Sequence, residues 1–225
     1  MLTLHIGNMA YSSWSLRGWL AVKQSGLPFK LVVHPLYDDS WDQRKRSAEL
    51  APSAGKVPIL WDEHTPVWDS LAIIDYLDRH TGGTRFWPQD SAAYGYARSL
   101  SAEMHSSFMA LRREHSMNIR QRYRAFPPSA EVAADLKRIT HLWAQARARF
   151  GSDGDFLFGR FGAADIMFAP VVTRIITYDL PVSAFAHSYM DAVTGHPFMQ
   201  DWLAAAQEEE WVIDRFERAD LLEGK

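Results

Sequence analysis

Short strand-like runs alternate with helical runs in the first part of the chain. Residues 2–6 alternate apolar and polar side chains, which is the period of a strand. The apolar positions between residues 15 and 25 follow helical spacing, and Gly26 is the type of residue that ends a helix. Residues 29–33 predict a second strand between two prolines. A strand, a helix and a strand in this order predict parallel pairing with a right-handed crossover.

The following fifty residues complete this pattern with a hairpin and a helix. Residues 40–49 are polar and predict only a short, weakly fixed helix. Two short strands are predicted at 57–61 and 67–68, with a turn between them. An amphipathic helix that begins at Ser70 closes the segment. The predicted order is therefore β-α-β-α-β-β-α, an α/β domain spanning residues 1–82.

Beyond a linker at residues 83–88, the remaining residues 89–225 predict only helices. Apolar side chains recur at spacings of three and four in two stretches. The recurring residues are Leu100, Met104, Phe108 and Leu111 in the first stretch, and Val132, Leu136, Ile139 and Trp143 in the second. Two further apolar helices are predicted at 165–176 and 197–206. The sequence thus predicts an α/β domain followed by an all-α domain.

The composition excludes several classes of function. The chain has 225 residues and a formal net charge of −3, so we expect no dedicated binding of nucleic acid. No apolar run approaches the ~18 residues of a membrane helix, and we expect no membrane segment, no secretory signal and a cytoplasmic location. The chain has no cysteine, which excludes disulfides and an enzyme thiol as nucleophile. The histidines show no metal-binding spacing, so no metal site is predicted.

Hydroxyl side chains stand immediately before the first predicted helix, in the sequence Ser12-Ser13-Trp14-Ser15-Leu16-Arg17. The N-terminus of a helix has unpaired N–H groups and the positive end of the helix dipole, and it therefore attracts an anion such as a thiolate. Serine is also a common N-cap, so Ser12 or Ser13 could serve only to begin the helix. The residues alone leave both interpretations open.

Two further features flank the predicted hairpin. Pro58 stands at the start of a strand, where it cannot donate to the ladder. A cis bond between Val57 and Pro58 would turn the Val57 backbone groups outward to pair with an extended peptide, although most such bonds are trans. Asp69 and Ser70 stand where the last strand joins the next helix. Ser70 can cap that helix and Asp69 can pair with an ammonium group, a combination that suits the zwitterionic end of an amino acid.

Together with the helical second half, these features resemble the glutathione transferase superfamily over essentially the whole chain. The segment from Ser12 to Arg17 is similar to the serine motif of zeta-class and related bacterial enzymes, Ser-Ser-Cys-Ser-x-Arg, with Trp14 in the place of the cysteine. The resemblance implies a thioredoxin-like N-terminal domain and an all-helical C-terminal domain that forms the second-substrate site. It also implies glutathione as co-substrate and a homodimer, with the last helix of the first domain and the first helix of the second in the contact.

The resemblance implies roles in glutathione binding for particular residues. Ser12, or its close competitor Ser13, would donate a hydrogen bond to the sulfur and favour the thiolate. Asp69 would take the γ-glutamyl ammonium, Ser70 the γ-glutamyl carboxylate, and the Val57 backbone the cysteinyl unit. Lys56 or a residue near Gln43 would meet the glycyl carboxylate. The complete implied set is Ser12, Ser13, Trp14, Arg17, Lys56, Val57, Pro58, Asp69 and Ser70.

The second half supplies the residues implied for the second substrate. His105, Met109 and Arg112 fall on the helix that borders the second-substrate pocket in the family. A purely structural role for His105 stays open, and the arginines around Arg112 suit a solvated face or a substrate carboxylate better than nucleic acid. Asp165 matches the acidic residue of the family's helix-capping box, which predicts a role in folding and not in catalysis.

The implied function is that of a glutathione transferase, which activates the glutathione thiol as a thiolate and adds it to a small electrophile, as in detoxification. Two alternatives stay open. One is a glutathione-dependent cis–trans isomerase of the zeta type, which Trp14 in the place of cysteine argues against. The other is a non-enzymatic binding or regulatory protein on the same fold. The sequence does not name the electrophile.

Overall fold

The first domain is built on a four-stranded mixed sheet. In the computed structural model, which describes residues 1–222, the strands are β1 (Leu2–Ile6), β2 (Phe29–Val33), β3 (Ile59–Asp62) and β4 (Thr65–Val67). The strand order is β2-β1-β3-β4, with β1 parallel to β2 and antiparallel to β3. β3 and β4 form an antiparallel hairpin. The predicted parallel crossover and the predicted hairpin are both confirmed.

Helices complete this thioredoxin-like domain. They are α1 (Ser13–Ser25), α2 (Trp41–Arg44) and α3 (Ser70–His80), with a 3₁₀ turn at Ala51–Ser53. α1 starts two residues earlier than its apolar pattern predicts, because Ser12 caps it and accepts a hydrogen bond from the Ser15 amide. It ends at Gly26, whose φ of 70° lies in the left-handed region that glycine tolerates best.

The second domain is all-helical, as predicted. Its helices are α4 (Ser91–Ser106), α5 (Met109–Glu114), α6 (Ala130–Phe150), α7 (Ala163–Tyr178), α8 (Ala184–Gly195) and α9 (Pro197–Glu208). Short 3₁₀ turns follow at Asp214–Phe216 and Ala219–Leu221. Within residues 1–222, no helix has the length and apolar character needed to cross a membrane. The continuous helix expected through Phe108 is wrong, because Phe108 has a φ of 64° and separates α4 from α5.

α7 is the central helix of the second domain and connects it to the first. Almost all of its side chains are buried, and it packs against α1 and α4. At its start the Asp165 carboxylate accepts hydrogen bonds from the amides of Gly162 (2.9 Å) and Leu157 (3.1 Å) and from the Tyr189 hydroxyl (3.0 Å). Burial raises the pKa of Asp165 to about 6. Asp165 therefore fixes the start of α7, which is the folding role predicted for it.

Candidate active site

A chain of hydrogen bonds orders the hydroxyl groups at the start of α1. The amide of Gly7, just after β1, donates to Ser15 Oγ at 2.8 Å. Ser15 Oγ lies 2.7 Å from Ser12 Oγ, which also accepts from the Ser15 amide at 3.3 Å. Since Ser15 Oγ already accepts from Gly7, its own proton can be donated to Ser12. The Ser12 hydroxyl proton is then available to an acceptor outside the protein.

Ser12 faces a cleft of about 860 Å³ between the two domains. The lining residues include Trp14, Trp41, Lys56, Val57, Pro58, Trp68, Asp69 and His105. The Val57–Pro58 peptide bond is cis, as predicted. α1 lies directly against this turn at Gly18, where an added Cβ would come within 2.6 Å of the Pro58 Cβ. Glycine at position 18 therefore lets the serine-bearing end of α1 and the Val57–Pro58 turn share one wall of the cleft.

The Asp69–Ser70 pair lies at the start of α3, at the other end of the cleft. Asp69 is the N-cap and accepts from the Leu71 amide at 3.2 Å. Its second carboxylate oxygen lies 3.0 Å from His105 Nε2, so α4 of the second domain contacts the same residue. Ser70 is fully buried and does not line the cleft. Of the predicted pair, only Asp69 presents its side chain to the cleft.

Trp14 separates the cleft from a group of arginines. The Arg17 guanidinium carbon lies 4.6 Å from the Trp14 ring centroid and that of Arg112 lies 5.0 Å away, both within cation–π range. The His105 ring contacts Trp14 edge-on at 5.2 Å. Arg17 is fully buried, donates from Nε to the Met167 carbonyl, and lines no part of the cleft. The structure thus places Arg17 behind Trp14, where it joins α1 to α7, and not at the glutathione-binding position implied by the resemblance.

A second, smaller cavity of about 180 Å³ adjoins the cleft. It shares Ser12, Trp14, Leu36 and Tyr37 with the cleft, and its other lining residues include Tyr11, Ser13, Arg112, Met117, Arg174 and Phe216. The Ser13 hydroxyl accepts from Arg174 Nη2 at 3.3 Å. Met109 is 63% exposed and lines neither cavity, so the structure does not bring it to the site. Gln43 is also exposed and outside the cleft.

Comparison with models of protein families identifies the family of this chain. The model "glutathione S-transferase, N-terminal domain" matches residues 11–80, and the model "glutathione S-transferase, C-terminal domain" matches residues 129–205. The chain belongs to the glutathione S-transferase family. Its assignment to a serine-type, zeta-like subclass stays a prediction.

Individual relatives of this glutathione S-transferase family member are distant. Protein IN2-1 homolog A of Oryza sativa is 25% identical over 75% of this chain and 63% of its own length. Glutathione S-transferase L2, chloroplastic, of Arabidopsis thaliana is 27% identical over 83% of this chain and 57% of its own length. The chain thus spans less than two thirds of either relative. A solved glutathione transferase homolog from Burkholderia gl BGR1, with bound glutathione, has a TM-score of 0.67, with 21% identity over 93% of this chain and 99% of that one.

A tyrosine also lies at the start of α1, and sequence reasoning did not consider it. The Tyr11 hydroxyl donates to Glu217 Oε1 at 2.5 Å and accepts from Arg120 Nη2 at 2.7 Å. Burial and the Glu217 carboxylate raise the pKa of Tyr11 to about 12. Because its only proton is directed to Glu217, Tyr11 is a poor donor to a sulfur atom. Ser12, in contrast, lines the large cleft of this family member.

The C-terminal segment contributes residues that the sequence patterns did not indicate. Phe216 lines the small cavity and packs against Tyr11 and Tyr37. The Glu209 carboxylate accepts from the Met9 amide at 2.5 Å, which ties the end of α9 to the loop after β1. These contacts join residues about two hundred positions apart. No local sequence pattern indicates contacts over such a separation.

Proposed function

We propose that this protein binds glutathione in the large cleft and activates its thiol for attack on a small electrophile. The observation that carries the proposal is the ordered hydroxyl of Ser12. It stands at the N-terminus of α1 and accepts from the Ser15 amide, and when the Ser15 hydroxyl donates to it as well, its own proton is free to be donated into the cleft. Ser13 is the weaker candidate, because its hydroxyl contacts Arg174 and lines only the smaller cavity.

The chemistry required of Ser12 is stabilisation of a negative charge. The thiolate is the nucleophile, and a thiol with a pKa near ~8.5 is mostly protonated at neutral pH. A hydrogen bond to a charged acceptor contributes about 1.5–3 kcal/mol, which corresponds to roughly one to two pKa units. The dipole of α1 acts in the same direction. Together these groups supply the stabilisation that a reactive thiolate needs near pH 7.

The remaining groups of glutathione have matching partners along the cleft. Asp69 lines the cleft and carries a carboxylate for the γ-glutamyl ammonium, and the N-terminus of α3, which Asp69 caps, suits the γ-glutamyl carboxylate. The Val57 backbone borders the cleft beside Pro58, where it can pair with the cysteinyl unit. Lys56 is exposed at the rim and suits the glycyl carboxylate. With these pairings, the thiol is directed to Ser12.

The test combines binding and turnover. Calorimetry should show glutathione binding, and 1-chloro-2,4-dinitrobenzene should be conjugated with loss of chloride. In Ser12→Ala, kcat/KM near neutral pH should fall by about ten- to a hundredfold with little change in glutathione affinity. Ser13→Ala is the matched control and should lose less activity. Absence of glutathione binding would contradict the proposal and favour a regulatory protein.

Binding without conjugation, but with isomerisation of maleylacetoacetate, would replace the transferase by the isomerase alternative. A cytoplasmic location and a homodimer remain predictions. A sedimentation mass near that of one chain, 25.7 kDa, at micromolar concentration would contradict the dimer.

A further inference from the structure

Trp14 stands on the boundary between the two cavities of the site. Among the described residues, the cleft and the small cavity share only Ser12, Trp14, Leu36 and Tyr37. Trp14 has the largest side chain of these four, and it lies on the first turn of α1, two residues after Ser12. At the start of α1, the boundary between the cavities is therefore an indole ring.

The contacts of Trp14 fix the indole ring in this position. The guanidinium carbons of Arg17 and Arg112 lie 4.6 and 5.0 Å from the ring centroid, and the His105 ring contacts Trp14 edge-on. Both arginines are themselves anchored, because each donates from Nε to a backbone carbonyl at 2.9 Å. His105 is held by Asp69, whose carboxylate lies 3.0 Å from Nε2. Trp14 is thus a fixed wall, supported by side chains from α1, α4 and α5.

The small cavity on one side of this wall has room for a single aromatic ring. Its volume is about 180 Å³. For comparison, an engineered protein cavity of about 150 Å³ binds one benzene molecule. A second fused ring would have to occupy the space that the indole of Trp14 fills.

In the proposed function, glutathione and the electrophile meet at the same boundary. The groups suited to the two ends of glutathione, Asp69 and Lys56, line the cleft and do not line the small cavity. Ser12 lines both. A sulfur atom beside Ser12 can therefore be reached from the small cavity without displacement of the rest of glutathione.

We propose that Trp14 determines specificity for the second substrate, because it limits the reacting end of the electrophile to the size of one aromatic ring. The proposal rests on the proposed function. The substrate class is a compact electrophile with one ring, or a chain of similar volume. Trp14 takes no part in the chemical step, in which the carbon–sulfur bond forms and the leaving group departs with its electron pair. The motif that this segment resembles has cysteine at this position, and the smaller side chain would leave more space between the cavities.

Two electrophiles that differ by one fused ring test this directly. They are 1-chloro-2,4-dinitrobenzene and 1-chloro-2,4-dinitronaphthalene, and both react with the thiolate by loss of chloride. Each enzymatic kcat/KM is divided by the uncatalysed rate constant with glutathione, which removes the difference in intrinsic reactivity. A single methylene group in a pocket changes kcat/KM by about tenfold or more, so the wild type should prefer the one-ring compound by at least about tenfold. Equal acceleration of the two compounds by the wild type would overturn the proposal.

Variants assign the preference to Trp14. In Trp14→Ala, the ratio of the one-ring to the two-ring compound should fall by at least about tenfold, because the two-ring compound gains space. Trp14→Phe retains a smaller aromatic wall and should give an intermediate ratio, which keeps the test valid if the alanine variant does not fold. Trp68→Ala is the matched control, since Trp68 lines only the cleft, and it should leave the ratio unchanged. An unchanged ratio in the Trp14 variants, or an equal fall in Trp68→Ala, would overturn the proposal.

Binding without reaction separates this inference from the transferase function. Calorimetry uses 1,3-dinitronaphthalene, which has no leaving group, with S-methylglutathione added to occupy the cleft with a blocked sulfur. Trp14→Ala should bind this compound at least about tenfold more tightly than the wild type does. If neither chloro compound is turned over but this gain is found, the size limit set by Trp14 stands and the transferase function fails. If 1-chloro-2,4-dinitrobenzene is conjugated and neither the ratio nor this affinity depends on Trp14, the transferase function stands and the role of Trp14 fails.

Discussion

Asp69 provides a test of glutathione binding that leaves the fold intact. Its carboxylate caps α3 and contacts His105, and it is the acidic side chain that lines the cleft where the γ-glutamyl ammonium is expected. Asparagine caps a helix as well as aspartate does. Asp69→Asn therefore removes the charge and keeps the cap, whereas Asp69→Ala would remove both.

The size of the effect follows from the exposure of the side chain. A hydrogen bond between charged groups contributes about 1.5–3 kcal/mol, and solvent screening reduces this for an exposed pair. The Asp69 side chain is 52% exposed, so we expect a loss of about 1–2 kcal/mol. This corresponds to a rise of roughly five- to thirtyfold in the Kd for glutathione. The free energy of unfolding should change by less than about 0.5 kcal/mol.

The assay is calorimetry with glutathione and with glutaryl-cysteinyl-glycine, which lacks the ammonium group. The wild type should bind the analogue roughly five- to thirtyfold more weakly than glutathione, because the analogue loses the same ion pair with Asp69. Asp69→Asn should bind the two compounds about equally, because the partner of the ammonium is gone. Equal glutathione affinity in wild type and Asp69→Asn would refute the pairing. If removal of the ammonium weakens binding to Asp69→Asn as much as it weakens binding to the wild type, the ammonium pairs with another residue.

Three further changes test separate parts of the structure. Gly18→Ala should lower the free energy of unfolding, measured in urea, by about 1–3 kcal/mol, because the alanine Cβ would overlap Pro58. An unchanged urea midpoint would contradict the close approach of α1 to Pro58. Ser15→Ala should raise the pKa of the glutathione thiol by less than about one unit, because Ser12 keeps its position and loses only the hydrogen bond to the Ser15 hydroxyl. A pKa shift as large as that in Ser12→Ala would indicate that Ser15 itself donates to the sulfur. His115 is fully buried, and burial lowers its pKa to about 4. As the pH falls below 6.5, His115 is protonated in the unfolded chain before it is protonated in the folded protein. The free energy of unfolding should therefore fall by about 2 kcal/mol more in the wild type than in His115→Phe between pH 7 and pH 5. Parallel plots of this free energy against pH for the two proteins would contradict the prediction.

The sequence was sufficient for those features that depend on local patterns. The strand and helix periods predicted the architecture of both domains, and the serines before α1 marked the start of the site. The cis bond at Val57–Pro58 came from the family resemblance and not from the residues alone. The end of α4 was missed because Phe108 continues an apolar helical series, while its left-handed backbone conformation breaks the helix.

The remaining features depend on contacts between distant parts of the chain. Arg174 meets Ser13 across 161 positions, and no local pattern distinguishes it from other helix arginines. Arg17 matches a motif position but is turned behind Trp14, because α1 packs against α7. α8 was not predicted, since its mixture of small and polar residues has weak periodicity. Local sequence therefore indicated the residues of the large cleft better than those of the small cavity.

The central claim is that the Ser12 hydroxyl stabilises the thiolate of bound glutathione. The most direct measurement is the ultraviolet absorbance of the thiolate, titrated against pH in the glutathione complexes of the wild type, Ser12→Ala and Ser13→Ala. The pKa of the bound thiol should lie below that of free glutathione in the wild type and in Ser13→Ala, and should rise by roughly one to two units in Ser12→Ala. An unchanged titration in Ser12→Ala, with a shifted one in Ser13→Ala, would contradict the claim and move the role to Ser13.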